Sequence, residues 1–174
     1  MHIRICTIGF TGKTAEEFFR LLEQGGVRRV VDVRENRIGQ LSGYAKYPDV
    51  AFFLQRIGGI DYIHMPELAP SPEIRKAYRD SKDWPAYETA FLELMKQRGV
   101  PESVDMNRFT QTTALLCSEP RPEKCHRRLV AELLAAHWGA QGNTVEVQHL
   151  VTEKSKPAKR GRKGARARQG THPE

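Results

Sequence analysis

The chain has 174 residues, enough for one domain that buries a hydrophobic core without disulfides or a structural metal. Its formal charge of +7 lies wholly in residues 154–174, which hold 8 Lys and Arg and 1 acidic residue, so residues 1–153 are neutral with 20 of each. No apolar segment reaches the roughly 20 residues that cross a bilayer, which excludes a helical membrane protein.

The cysteines indicate the cellular compartment of the protein, and the basic segment indicates a possible partner. Cys6, Cys117 and Cys125 are an odd number, and the first residues lack the pattern of a secretory signal. We therefore expect a cytoplasmic protein with free thiols. Residues 154–174 are rich in Lys, Arg, Gly and Ala, so we expect a disordered basic tail, which could bind nucleic acid by neutralising phosphates.

The first third of the chain reads as strand, helix, strand. Residues 2–8 alternate apolar side chains and predict a strand. Thr14 and Glu17 are spaced as the capping box of a helix that Gly25-Gly26 ends. Residues 27–33 are rich in Val and predict a buried second strand.

The rest of the chain repeats this alternation. After a polar loop, Pro48-Asp49 opens a helix, and residues 60–65 predict a third strand. Ser71-Pro72 and Trp84-Pro85 each place a proline where a helix can begin. The last predicted elements are a strand over 112–117, a helix over 122–138 and a strand over 144–150.

Alternating strands and helices predict an α/β fold over residues 1–153. We expect a single three-layer domain with a mainly parallel central sheet of about five strands and helices on both faces. Ligands of such sheets bind outside the carboxyl ends of the strands. Those ends and their loops carry polar or glycine residues, namely Gly9, Thr11, Asp32, Arg34, His64, Glu67, Cys117 and Glu119.

The run from Leu115 to Arg128 carries the strongest indication of chemistry. Cys117 ends a predicted strand, just before a helix predicted to begin near Pro122. Unpaired amides at a helix start stabilise a thiolate, and the thiolate is the nucleophile and the metal ligand. The alternative is that Cys117 only fills the end of a buried strand.

Cys125 and His126 fall on the helix face that turns toward Cys117, because they lie four residues before Leu129 and Val130. Arg127 lies in the first turns of the predicted helix, where the helix dipole disfavours cations, so a bound anion or nearby acidic residues would explain it. We assign Cys117, Glu119, Cys125 and His126 as catalytic candidates. The substrate-binding candidates are Gly9, Thr11, Asp32, Arg34, His64, Glu67 and Arg127.

Two readings of these residues stay open. Cys117, Cys125 and His126 could bind a metal, but their spacing is unlike the paired cysteines of structural zinc sites, so we predict no metal and no cofactor. Asp32 could serve a site, as in the rhodanese-like sulfurtransferases whose acidic strand end it resembles, or it could instead pair with Arg34 or cap a turn.

Several motifs resemble the bacterial and archaeal family called domain of unknown function 488. They include Thr7-Ile8-Gly9, Val31-Asp32-Val33-Arg34 and the segment from Gly59 to Leu68. The most specific are Leu116-Cys117-Ser118-Glu119 and Cys125-His126-Arg127. The resemblance spans residues 5–150 and implies an α/β fold with a shared pocket, but no reaction.

Three hypotheses follow for the function. In the first, the protein is a thiol-dependent enzyme whose Cys117 is a nucleophile or sulfur carrier that acts on a small anionic substrate. In the second, it is a nucleic-acid-associated protein that binds through the basic tail. In the third, it binds a metal through Cys117, Cys125 and His126. No membrane partner is expected in any of them.

Overall fold

The computed structural model describes residues 1–39 and 42–152, and the predicted basic tail lies outside the described residues. Five strands form one sheet: β1 His2–Gly9, β2 Arg29–Asp32, β3 Asp61–His64, β4 Thr113–Cys117 and β5 Thr144–Leu150. The helices are α1 Ala15–Gln24, α2 Asp49–Gly58, α3 Pro72–Ser81, α4 Trp84–Gln97 and α5 His126–Ala140, with short 3-10 helices at Gly43–Ala45, Pro66–Leu68 and Met106–Phe109.

The sheet is wholly parallel, in the order β3-β2-β4-β1-β5. One hydrophobic cluster joins the sheet to α1 and α2, and the other joins the opposite face of the sheet to α4 and α5. Alternate residues of each strand therefore enter different clusters, as the pleat requires. The prediction of an α/β domain with helices on both faces is confirmed.

Local sequence signals explain where most helices begin. The Thr14 hydroxyl accepts the Glu17 amide and the Glu17 carboxylate accepts the Thr14 amide, which confirms the predicted capping box of α1. Ser71 caps α3 ahead of Pro72, and Asp83 caps α4 ahead of Pro85. None of the helices in the described part of the chain is long and apolar enough to span a membrane.

Helix α5 begins later than the sequence predicts. It starts at His126, because the Cys125 amide bonds back to the Pro122 carbonyl and closes a separate turn at 3.1 Å. Cys125 is thus the residue before the helix, with an extended backbone, and Pro122 is outside it. The first residue of the helix is His126, four residues later than the predicted start at residue 122.

The topology opens a crevice at the end of β4, which lies between β1 and β2. The chain leaves β1 and β2 toward α1 and α2 on one face, and it leaves β4 toward α5 on the other. Ligands of parallel α/β sheets bind where neighbouring connections diverge in this way. Cys117, the last residue of β4, lies at this point.

Candidate functional site

Cys117 and His126 form a buried pair at the end of β4. The Cys117 Sγ lies 3.6 Å from the His126 Nδ1. The other ring nitrogen, Nε2, lies 3.0 Å from the carbonyl oxygen of Val33, to which only an N–H can bond. Val33 therefore orients the ring so that Nδ1 faces the sulfur, either accepting the thiol proton or holding it beside a thiolate.

The surroundings of Cys117 favour its ionised form. A hydrogen bond from Cys125 and the positive charge of His126 lower the pKa of the Cys117 thiol well below its usual value, against the opposing effect of burial. The amide of Glu119 contributes in the same direction. Burial lowers the pKa of His126, but the Cys117 charge outweighs it, so the net pKa is raised. Both shifts favour a thiolate beside an imidazolium.

Cys125 lies in the same cluster, and the pKa of its thiol is shifted in the opposite direction. Burial and the neighbouring Cys117 raise the pKa of the Cys125 thiol well above its usual value. The Nη1 of Arg127 donates to its sulfur at 3.3 Å and opposes that rise. The two sulfurs thus lie between an imidazole and a guanidinium.

Arg127 is a fully buried cation beneath the site. Its Nη1 donates to the Glu119 carbonyl at 2.5 Å, and its Nε donates to the Thr7 hydroxyl at 3.4 Å. It forms no ion pair with any carboxylate of the described residues, and its Nη2 has no hydrogen-bond partner among them. A buried guanidinium is costly without a counter-charge, so Arg127 favours a negative charge on the neighbouring cysteine pair.

A cavity of about 350 Å³ lies against the two cysteines. Four aromatic side chains and four cationic side chains line it, together with two acidic residues. The aromatic residues are Phe10, Tyr78, Trp84 and Tyr87, the cations are Arg34, Arg75, Arg79 and Lys124, and the acids are Glu35 and Glu119. Glu35 is neutralised by an ion pair with Arg75. The cavity suits a small anionic molecule with an apolar part.

Glu119 lines the edge of the cavity, near Cys117 and His126. Partial burial of its carboxyl group, together with the Cys117 charge, raises its pKa above the usual value. A carboxyl group with a raised pKa keeps its proton to higher pH and can then donate that proton.

Asp32 and Arg34 form a second buried network on the other side of Val33. The Asp32 carboxylate accepts two side-chain bonds from Arg34, at 2.8 and 2.7 Å, and one from the Tyr62 hydroxyl at 2.7 Å. Arg34 also donates to the Ala45 carbonyl and lines the cavity. Of the two readings of Asp32, the structure shows the pairing with Arg34.

The remaining four predicted site residues do not line the cavity: Gly9, Thr11, His64 and Glu67. A Cβ on Gly9 would overlap the Glu119 carbonyl oxygen, so glycine is needed for the close approach of that loop. The Thr11 amide donates to the Ser118 carbonyl at 3.1 Å. The His64 Nε2 donates to the Arg34 carbonyl at 2.8 Å, and Glu67 is exposed outside the cavity.

Sequence reasoning missed the contribution of α3. Arg75, Tyr78 and Arg79 all line the cavity from this helix. Their spacing of three and four residues puts them on one helical face, and this was the available signal. Trp84 and Tyr87 line the same cavity from α4.

Three of the site residues could also hold a metal. One donor atom from each of Cys117, Cys125 and His126 lies within 4.8 Å of the others. No fourth donor joins them among residues 1–39 and 42–152, so a closed structural zinc site is not formed there. An open site with three protein ligands would fit these residues, and the bond from His126 to Val33 is of the kind that orients metal-binding imidazoles.

A comparison with protein families decides the membership of the chain. The model of the family described as Domain of unknown function DUF488 matches residues 14–134. The chain belongs to this family. The DUF488 match includes Cys117, Glu119, Cys125, His126 and Arg127, and it confirms the resemblance seen in the sequence. The comparisons with curated proteins and with solved structures found no match.

Proposed function

We propose that this DUF488 protein is a thiol-dependent enzyme in which Cys117 is the nucleophile and a small anionic molecule is the substrate. The observation that carries the proposal is the orientation of His126, whose Nε2 is held by Val33 while its Nδ1 lies 3.6 Å from the Cys117 sulfur. A nucleophile in reach of a base that a third group orients is the usual arrangement of covalent catalysis.

Each neighbouring residue has a role in this proposal. The Cys117 thiolate attacks an electrophilic atom of the substrate, and the leaving group departs with the bonding electrons. His126 or Glu119 supplies its proton, since both lie beside Cys117 and both have raised pKa values. The cations Arg79 and Lys124, which form no ion pairs with described residues, attract the anionic part.

The experiment compares two alkylating reagents of similar size across pH 5–9. Iodoacetamide is neutral and iodoacetate is an anion. We expect both to label Cys117 with an apparent pKa below the usual thiol value of about 8.5. The double variant R79E/K124E should reduce the iodoacetate rate at least fivefold at low ionic strength and leave the iodoacetamide rate nearly unchanged.

Matched controls make this experiment decisive. C117S should abolish the fast labelling, whereas C6A should not affect it, because Cys6 is buried in the other hydrophobic cluster, across the sheet. Labelling of Cys117 no faster than that of a model thiol throughout the pH range would refute the proposal. Equal loss of both reagents' rates in R79E/K124E would refute anion binding by these cations.

The two other hypotheses stay predictions with their own tests. Nucleic-acid binding would use residues 154–174, which lie outside the described residues, so deleting them should abolish any salt-sensitive binding to DNA or RNA and leave Cys117 reactivity intact. Metal binding by the three donors predicts stoichiometric metal in the purified protein, and metal analysis of the alkylation sample decides it. A cytoplasmic location belongs with the thiol proposal, because free thiols need a reducing compartment.

A further inference from the structure

The second cysteine of the site has a chemistry of its own. All three cysteines are unpaired, and two of them, Cys117 and Cys125, share the floor of one cavity. Both are nearly inaccessible, at 4% and 2% exposure, and their sulfurs lie within 4.8 Å of each other. A cysteine that only packed against the core would not need a guanidinium bonded to its sulfur, as Cys125 has from Arg127.

We propose that Cys117 and Cys125 form a redox-active dithiol that reduces small anionic disulfides, with Cys117 as the attacking thiol and Cys125 as the thiol that resolves the mixed disulfide. The first step rests on the proposed function, because it needs Cys117 to be the nucleophile. The second step adds the resolving role of Cys125, which depends on the proximity of the two sulfurs.

The first step forms a mixed disulfide. The Cys117 thiolate attacks one sulfur of a disulfide RSSR, a new S–S bond forms, and the original S–S bond breaks. The released RS⁻ takes the proton of the His126 imidazolium and leaves as RSH. Cys117 is then joined to the remaining RS group, and His126 is neutral.

The second step closes the internal disulfide. Cys125 passes its proton to His126, and its sulfur attacks the Cys117 sulfur. The second RS⁻ leaves with that proton as RSH. In total the dithiol loses two electrons and two protons, and the substrate becomes two RSH. Two equivalents of a small thiol reverse the exchange and restore the dithiol.

The surroundings of Cys125 favour this order of attack. The His126 Nδ1 lies 3.6 Å from the Cys117 sulfur, so Cys117 has the base beside it and attacks first. The Arg127 Nη1, 3.3 Å from the Cys125 sulfur, then remains to stabilise the second thiolate.

The position of Cys125 also allows the sulfurs to approach. A disulfide requires a sulfur separation of about 2.05 Å. Cys125 precedes the first residue of α5 and has an extended backbone, with φ −142° and ψ 136°. Its side chain can therefore turn toward Cys117 without distorting a helical turn. Cys6 cannot compete, because it lies on the other face of the sheet.

The test uses dithiodiglycolate, a small disulfide with two carboxylates, on the full-length protein. By mass spectrometry, the wild type should lose two hydrogens, and digestion should yield a peptide that links Cys117 to Cys125. C125S should instead retain one thioglycolate on Cys117, and its release of the second thiol should be at least tenfold slower. C6A should behave as the wild type.

The outcomes separate the two proposals. A thioglycolate adduct on Cys117 that persists equally in the wild type and C125S overturns the resolving role of Cys125 and leaves the nucleophile in place. Absence of both adduct and linked peptide, with no reaction at Cys117, overturns the nucleophile as well. Should C125S not fold, the linked peptide of the wild type decides the matter by itself.

Discussion

Replacing His126 by glutamine separates the charge of the imidazole from its hydrogen bond. The glutamine amide can still donate to the Val33 carbonyl, which accepts the His126 Nε2 at 3.0 Å, but it cannot carry a positive charge. H126Q should therefore preserve the position of the side chain and remove the cation beside the Cys117 sulfur.

The separation of the pair sets the size of the effect. Two unit charges 3.6 Å apart attract by about 4–5 kcal/mol at an effective dielectric constant of about 20. Burial of both groups offsets much of this attraction. About 1.4 kcal/mol corresponds to a factor of ten in rate, so a third of the attraction between the two charges is enough for a tenfold change. We expect the labelling of Cys117 at pH 7 to slow at least tenfold.

The assay is the iodoacetamide rate as a function of pH, with H137Q as the matched control. His137 is on the same helix, and its Nε2 bonds to Gln141 far along the helix from the cavity. H126Q should raise the apparent pKa of Cys117, while H137Q should leave the profile unchanged. A normal profile in a folded H126Q would show that Cys125 and the Glu119 amide alone activate the thiol, and would refute the role of His126.

Two further predictions concern stability. G9A should lower the free energy of unfolding by about 1–3 kcal/mol, measured by urea denaturation, because its Cβ meets the Glu119 carbonyl. G139A, whose Cβ meets nothing in its helix, should raise it by about 0.5–1 kcal/mol; equal effects would contradict the steric argument. Burial raises the pKa of the Cys6 thiol from 9.0 to about 11. The neutral thiol therefore contributes to the free energy of unfolding below pH 9, and this contribution is lost as the pH rises from 9 to 11. The wild type should thus lose about 2–3 kcal/mol more than C6A between pH 9 and 11, and parallel stability curves would contradict this.

The fold was predictable because its signals are local and periodic. Strand β5 has the predicted bounds of 144–150, and the Thr14 capping box places the start of α1 as expected. The start of α5 was not predicted, because Pro122 fits the first position of a helix as well as it fits the turn that the Cys125 amide closes. Propensity at one residue does not distinguish these two uses.

The site was predictable only where one stretch of chain builds it. Cys117, Glu119, Cys125 and His126 lie within ten residues of each other, and the structure places all four against one cavity. The cavity residues on α3 are positioned by the long connection between β3 and β4, which folds back over the sheet. No pattern in the sequence predicts the path of that connection. His64 and Glu67 lie at the expected edge of the sheet, but His64 bonds to the Arg34 carbonyl and Glu67 is exposed outside the cavity.

The burial of Arg127 connects the stability of the domain to the chemistry of the site. Gly9 lets the Glu119 carbonyl approach the guanidinium, and the Thr7 hydroxyl accepts its Nε and is hydrogen-bonded to the His149 Nδ1 at 2.8 Å. These neutral acceptors satisfy hydrogen bonds without cancelling the charge. Since Arg127 forms no ion pair with a carboxylate of the described residues, its buried charge favours a negative charge on the adjacent cysteine pair. The contacts that bury Arg127 in the folded domain therefore support the Cys117 thiolate that the proposed function requires.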